Sequence, residues 1–436
     1  MNEIFEKHFS EKGFNEQTLI QKQTFNQLLD GQSVIGLSPT GSGKTLAFAL
    51  PLLEKLAPGD GSQLLVLSPS QELAVQTTDV FREWASLLKL RVTSVTGGAN
   101  LQRQIERLKK KPEIIIGTPG RVLTMVNESR LKTSDINTLI IDEADELLTG
   151  ETLGDVRQIE DQLPSDLQMA FFSATSADSL QNIPDLFGVN PVTIDVRDED
   201  QTQGEVKHGW MVTSEAGKLK ILRKISHLKH FQALVFFNHV STLEKVAATL
   251  KHEGFHSGKV AGHQVQTDRA TALRDFKKGK LNLLLVTEVA ARGLDIQKLP
   301  AVINYDVPER SINYTHRVGR TGRMGETGFV INLGNDHDIR NVKKIGRELN
   351  LDMQSLVIMN DTIMTTEASK LIKPVKKVLI NQNVETKSES QKQVNKLKNS
   401  YSQKIVVSQN TEAPKKSKKH SKKHSKRKGM RQKNKS

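Results

Sequence analysis

The chain of 436 residues contains no cysteine. Disulfides, thiol catalysis and cysteine-ligated zinc are therefore excluded. No apolar run reaches the length a membrane-spanning helix needs, so no membrane partner is expected. The segment MNEIFEKHFSEKGF at the N-terminus is mixed and charged and does not read as a signal peptide. The twelve histidines show no metal-ligand spacing, and His420 and His424 fall inside a basic run. Tryptophan is nearly absent; Trp84 and Trp210 read as core or partly buried residues. A cytoplasmic location is the simplest expectation.

What is present is length and uneven charge. A chain of this size is expected to hold two or three domains. The net charge is +14. Lys370–Ser436 carries 21 Lys and Arg against three Glu, which is +18, and leaves 42 basic and 46 acidic residues, or −4, in the rest. The positive charge thus sits in a tail, and a segment of that sign points to a polyanion, most simply nucleic acid. Its end, KKSKKHSKKHSKRKGMRQKNKS, is of low complexity and is expected to be disordered in isolation.

Short apolar runs alternate with longer amphipathic stretches from Val34 onward. In the first half the strand-like runs are Val34–Leu37, Leu64–Leu67, Val92–Val95, Ile114–Ile116, Leu139–Ile141 and Met169–Phe172. In the second half they are Ala233–Phe237, Leu283–Val286, Val302–Asn304 and Val330–Leu333. Such alternation predicts parallel sheets covered by helices, in an α/β fold. The polar stretch Arg197–Glu205 separates the halves and reads as a linker. Open sheets of this class bind ligands beyond the carboxyl ends of their strands, and the motif residues sit at those ends.

Ser38–Thr45 reads SPTGSGKT, a phosphate-binding loop between a strand and a helix. Gly41 and Gly43 let backbone N–H groups turn toward phosphate oxygens. Thr40 and Ser42 belong to the same loop. Lys44 is placed to reach the β- and γ-phosphates and Thr45 to ligate Mg²⁺. The bland alternative is an ordinary glycine-rich turn. Asp142 and Glu143 end an apolar run, an arrangement suited to holding Mg²⁺ and directing a water. A DE pair also begins many solvated helices. HRVGRTGR at His316–Arg323 offers Arg317, Arg320 and Arg323. A guanidinium suits the charge that develops on a γ-phosphate, but spacing alone equally allows a basic loop facing nucleic acid. Ser173-Ala174-Thr175, Gly97-Gly98 and Thr118-Pro119-Gly120-Arg121 are too short to decide anything alone.

In order and spacing these motifs resemble the DEAD-box ATP-dependent RNA helicases, of the bacterial cold-shock and ribosome-assembly type, over roughly Phe5 to Leu349. The resemblance implies two tandem RecA-like domains over residues 1–197 and 207–365, a linker at 198–206 and a disordered basic RNA-binding tail at 366–436. It implies ATP and Mg²⁺ as cofactors, with Gly13-Phe14 and Gln21 reading adenine, Asp295 touching the ribose, and Arg320 and Arg323 as arginine fingers. It implies coupling through Asp145, Ser173, Thr175 and His316. It implies RNA-backbone contacts from Pro69, Gln71, Gly97, Gly98, Thr118, Pro119, Gly120 and Arg121, and from Gln266, Arg269, Thr287, Arg292 and Gly293 in the second half. The sequence departs from the family pattern at Gln71, usually Arg; at Gln17 and Leu19, often Pro; at Ala261, commonly His; and at Glu288, usually Asp. The expected activity is RNA-stimulated ATP hydrolysis that unwinds duplexes or remodels RNA–protein complexes, in ribosome assembly, mRNA turnover or cold adaptation. An ATP-gated RNA clamp or annealer is the alternative, and a DNA helicase of related build a third. Ribosomal particles and RNA-decay machinery are the expected partners.

Overall fold

The computed structural model describes residues 1–176, 178–200, 204–228, 231–261, 264, 266–291, 296, 299–322, 326–359 and 361–371. Two sheets are built in chain order. The first holds β1 (Val34–Leu37), β2 (Leu64–Leu67), β3 (Val92–Val95), β4 (Ile114–Gly117), β5 (Thr138–Asp142), β6 (Gln168–Ser173) and β7 (Val192–Asp195). Its strand order is β3-β4-β2-β5-β6-β1-β7, and every pairing is parallel. The second holds β8 (Val206–Val212), β9 (Ala233–Phe237), β10 (Ser257–Val260), β11 (Leu283–Thr287), β12 (Ala301–Asn304), β13 (Gly328–Gly334), β14 (Met353–Met359) and β15 (Thr362–Thr365). Its order is β10-β11-β9-β12-β13-β8-β14-β15, with only the β14–β15 pair antiparallel. Both sheets belong to one compact unit, Met1–Ile372.

The inner strands of the first sheet are apolar at nearly every position because both faces are covered. Val34, Leu64, Val66, Ile114, Ile116, Ile140 and Phe172 enter the core on one face. Their neighbours Ile35, Leu65, Leu67, Ile115, Leu139, Ile141 and Phe171 enter the core on the other. Each such Leu, Ile or Phe contributes ~1.5–3 kcal/mol on burial. Trp84 is buried as expected, edge-on to Phe5 and His8. Trp210 is half-buried with the Lys343 ammonium over its ring.

All ten predicted strands are present, within a few residues at their ends. Asp142, Ser173 and Thr287 are the last residues of their strands, not the residues after them. The linker expected at 198–206 overlaps β8 by one residue, since Val206 pairs with Gly328. Residues 201–203 of that linker and 372–436 of the tail lie outside the described residues, while Thr366–Leu371 is a helix. No helix among the described residues is long and apolar enough to cross a membrane.

One ion pair near β4, between the exposed Arg91 and the buried Glu113, makes the first lobe sensitive to acid. Glu113, 1% exposed, accepts from Arg91 Nη2 at 2.6 Å and from the backbone N–H groups of Gly59 and Arg91 at 2.9 and 2.7 Å. Burial would raise its pKa, but the guanidinium and the two N–H groups outweigh this and hold it at about 2. The stability this lends is full above the ordinary carboxylate range and is lost as pH falls toward about 2. Arg91→Ala is expected to cost ~1–3 kcal/mol at neutral pH, reduced by the solvent exposure of Arg91, and less in acid. Urea midpoints at neutral and acid pH check this; an equal cost at both would remove the charge from the explanation.

Candidate active site

The strand order of the first sheet sorts the motifs along one edge. β5, β6 and β1 are neighbours, so Asp142, Ser173 and the loop that begins at Ser38 emerge side by side. Leu37 is in register with Ser173, and Ser38 N–H donates to Ser173 O at 3.1 Å. β3, β4 and β2 form the other part of the edge and release Gly97, Thr118 and Pro69. Candidate phosphate and candidate RNA residues therefore occupy adjacent stretches of the same rim.

The loop Ser38–Gly43 feeds the helix Lys44–Lys55, whose N-terminal N–H groups face the loop. Gly41 and Gly43 have φ of 88° and 89°, which glycine adopts without strain. A Cβ on Gly43 would also lie 2.5 Å from Gln21 Nε2. Gln21 is 4% exposed and spends its amide locally: Nε2 donates to Gly43 O at 3.2 Å, and Oε1 accepts from Thr18 N–H at 3.0 Å. It thus braces the loop from behind. Phe14 is exposed and packs its ring against Phe9 at 4.9 Å between centroids. Lys44 Nζ donates to the carbonyls of Ser38 and Pro39 at 3.1 and 3.3 Å. A phosphate oxygen is the stronger, charge-assisted acceptor and would draw it outward. Thr45, half-buried, follows Lys44 on the first turn.

Asp142 is 3% exposed and takes the Glu143 N–H on Oδ1 at 3.1 Å. Burial and the adjacent Glu143 charge push its pKa up to about 8, against the opposing pull of Lys44. A carboxylate so short of positive charge suits a divalent cation, and the hydroxyl of Thr45 is a matching hard donor. Glu143 stands at φ 52°, ψ 56°, a left-handed conformation unusual for Glu, and begins the short helix Ala144–Leu147. Its Oε2 is buried with no protein partner, as is Oδ1 of Asp145. Glu143, Asp145 and His316 bring one donor atom each within 4.8 Å of one another.

The four coupling residues meet. Thr175 Oγ1 donates to Asp145 Oδ2, and Ser173 Oγ accepts from Thr175 N–H at 3.0 Å. From the second lobe His316 Nε2 lies 3.2 Å from the same Asp145 oxygen. Its Nδ1 lies 3.1 Å from Glu146 Oε1, a residue the motif spacing does not single out. Burial would lower the His316 pKa, but the two carboxylates raise it to about 10. The pKa of Asp145 is lowered: burial opposes this, and His316 and Thr175 prevail.

A second contact between the lobes lies three residues on. Thr40 Oγ1 donates to Gly319 O at 3.1 Å. A Cβ on Gly319 would fall 2.0 Å from that hydroxyl, so only glycine permits the approach. Arg320 comes next and lines a cleft with Glu146, Glu288 and His316. Arg317 is different. It is 1% exposed, donates to Asn304 Oδ1, Asp306 O and Asn238 Oδ1 at 3.1, 2.8 and 2.8 Å, and pairs with Glu288 at 3.2 Å. It is a strut of its own lobe and not a candidate finger. Arg323, Asp295, Arg292 and Gly293 lie outside the described residues.

On the candidate RNA rim, Gln71 opens the helix Gln71–Leu87 and holds its amide against Gly97 and Gly98, 3.0 Å from where a Cβ would stand on either. Thr118 precedes the helix Pro119–Asn127, which starts at Pro119 and Gly120. Arg121 keeps a buried Nη1 without a protein acceptor. In the second lobe Thr287 ends β11, and Gln266 begins the helix Gln266–Lys277. Arg269 on that helix donates to Ala290 O at 2.8 Å and pairs across the lobes with Glu72 at 3.0 Å. Glu72 is likewise not singled out by the sequence, though it lies next to Gln71.

Residues 18–183 match the DEAD/DEAH box helicase domain, and residues 217–325 match the helicase conserved C-terminal domain. The chain belongs to the DEAD/DEAH box helicase family. It is 36% identical over 363 residues to the probable ATP-dependent RNA helicase YfmL of Bacillus subtilis, covering 83% of this chain and 96% of that relative. It is 33% identical over 352 residues to the DEAD-box ATP-dependent RNA helicase CshC of Bacillus cereus, covering 80% and 90%. Among solved structures, yeast Dbp5 bound to RNA and ADP BeF3 superposes with a TM-score of 0.74 at 28% identity, over 81% of this chain and 93% of that one. The two sheets of this helicase are thus tandem RecA-like domains.

Proposed function

We propose that this helicase hydrolyses ATP in response to RNA and uses the cycle to separate or remodel RNA duplexes locally. One observation carries the proposal: the HRVGRTGR segment of the second lobe reaches the phosphate loop at Thr40, the DEAD run Asp142–Asp145 at its last residue, and Glu146 just after it. The nucleotide site is therefore completed by both lobes, and anything that draws the lobes together can govern hydrolysis. Residues 1–197 and 207–365 act as the two domains, joined by 198–206.

In this scheme Phe14 and Gln21 flank the adenine side, and the loop Thr40–Thr45 surrounds the phosphates. Lys44 leaves its loop carbonyls for a phosphate oxygen. Thr45 and Asp142 would hold Mg²⁺, which would offset the negative charge of the phosphates. Glu143 orients the attacking water and takes its proton, and Arg320 meets the charge developing on the γ-phosphate. RNA lies along the rim of Pro69, Gln71, Gly97, Gly98 and Thr118–Arg121, continued by Gln266, Arg269 and Thr287. Backbone contacts of this kind carry little sequence information, and the 2′-hydroxyl separates RNA from DNA. A clamp or annealer is the weaker alternative, because the relatives are named as helicases.

The basic tail adds affinity and keeps structured RNA near the core, such as that of ribosomal particles or decay intermediates. If it engages ~6–10 phosphates, binding falls ~10³–10⁵-fold between about 50 and 200 mM salt. Removal of residues 373–436 is expected to weaken RNA binding and flatten that dependence. The deciding test is steady-state ATP hydrolysis without nucleic acid, with RNA and with matched DNA, on intact and truncated protein. Stimulation by RNA and not DNA, retained by the truncated form at saturating RNA, is expected. No stimulation by RNA would overturn the proposal.

A further inference from the structure

We infer that Glu146 is a positioning residue for ATP hydrolysis: with Asp145 it holds His316 between two carboxylates and so seats the Arg320-bearing segment against the phosphate loop. The inference rests on the function proposed above and extends it to a residue outside the motif set.

The geometry of the imidazole leads to this assignment. Nε2 meets Asp145 Oδ2 at 3.2 Å and Nδ1 meets Glu146 Oε1 at 3.1 Å. An ionised carboxylate only accepts hydrogen bonds. With both carboxylates ionised, both ring nitrogens carry a proton and the ring is an imidazolium. The side chains of His316 and Glu146 are each 11% exposed and that of Asp145 is fully buried, so water screens the three charges little. With Asp145 alone the ring would be held at one nitrogen and could tilt. The second carboxylate fixes its plane and so the distance of the helix Ser311–Val318 from the first lobe.

That distance matters because of the two residues that come after this helix. Gly319 touches Thr40 with no room for a Cβ, and Arg320 comes next. His316 and Gly319 thus form a two-point seat, and Arg320 is delivered from its end. The charged neighbours do not replace Glu146. Glu288 faces the same cleft but is paired with Arg317, whose guanidinium is committed to its own lobe. Arg320 is of like charge to the imidazolium, and Glu143 belongs to the reacting side.

The seat has a pH signature. The His316 pKa is raised, so the contact is complete below the ordinary histidine range and is lost as pH rises through about 10. Removing one carboxylate lets the proton leave earlier. RNA-stimulated hydrolysis by the full chain is therefore to be measured from about pH 6 to pH 10 for wild type, Glu146→Gln and Glu146→Asp. Glu146→Gln is expected to stay within about threefold of wild type at pH 6.5, and to fall a further ~2- to 10-fold in kcat by pH 9, as the alkaline limb moves ~1–2 units toward neutral. KM for ATP should change less than kcat. Glu146→Asp, which keeps the charge on a shorter arm, should fall between the two.

An alkaline limb shared by wild type and both variants would overturn the assignment. So would an equal loss at every pH, which is the mark of a merely structural residue. Wild type that shows no RNA stimulation would instead remove the proposed function.

Discussion

Glu143→Gln is expected to lower RNA-stimulated ATP turnover ~10²–10⁴-fold, the usual effect of losing a general base. The amide keeps the size of the side chain and cannot take a proton. Two features single out this carboxylate. It comes directly after Asp142, the proposed cation ligand, and its Oε2 is buried without a protein partner. An orphaned buried acceptor is costly and persists where a ligand or water completes it. The left-handed backbone at Glu143 turns the side chain away from the strand direction, and Gln tolerates that conformation about as well as Glu. Folding stability should therefore change little, and the variant should still bind ATP and RNA. Single-turnover hydrolysis beside equilibrium RNA binding tests this. Unchanged turnover would take Glu143 out of the reaction.

Arg320→Ala should cost more, ~10³–10⁵-fold in kcat at saturating ATP and RNA. The guanidinium is brought to the cleft by a segment fixed at His316 and Gly319, so its approach depends on lobe closure and not on its own flexibility. Arg320→Lys restores the charge but not the planar fork, and should recover only a small part of the loss. A loss below tenfold for Arg320→Ala would shift the role to Arg323.

The first sheet was legible because each inner strand is a short run buried on both faces, and such runs stand out from amphipathic helices. Three of the five unread strands failed for plain physical reasons. β7 lies at the edge with three of four residues exposed, and β10 carries Ser257, Gly258 and Lys259 on another edge. β8 lies inside its sheet, yet Lys207, His208 and Gly209 break its apolar pattern. Gly209 is needed there because a Cβ would fall 2.4 Å from Leu356. At the site, residues inside contiguous motifs could be found from spacing. Glu146, Glu72 and the fit of Gly319 to Thr40 could not, because each depends on a contact between lobes distant in sequence. Nor does spacing tell Arg317 from Arg320. The family resemblance points to Arg320, and the burial and pairing of Arg317 within its own lobe set it apart.

The anchoring of Arg317 bears on how the enzyme resets. Its guanidinium ties the helix Ser311–Val318 to the ends of β9 and β12, and Asn304 passes the tie to Asn332 and on to Gly209 O at 2.7 and 2.8 Å. The arginine-bearing segment can thus leave the nucleotide only when its whole lobe leaves. Each reopening is then expected to be a rigid displacement without local melting. Amide protons of β12 and β13 should exchange with solvent equally slowly whether the cleft is open or shut.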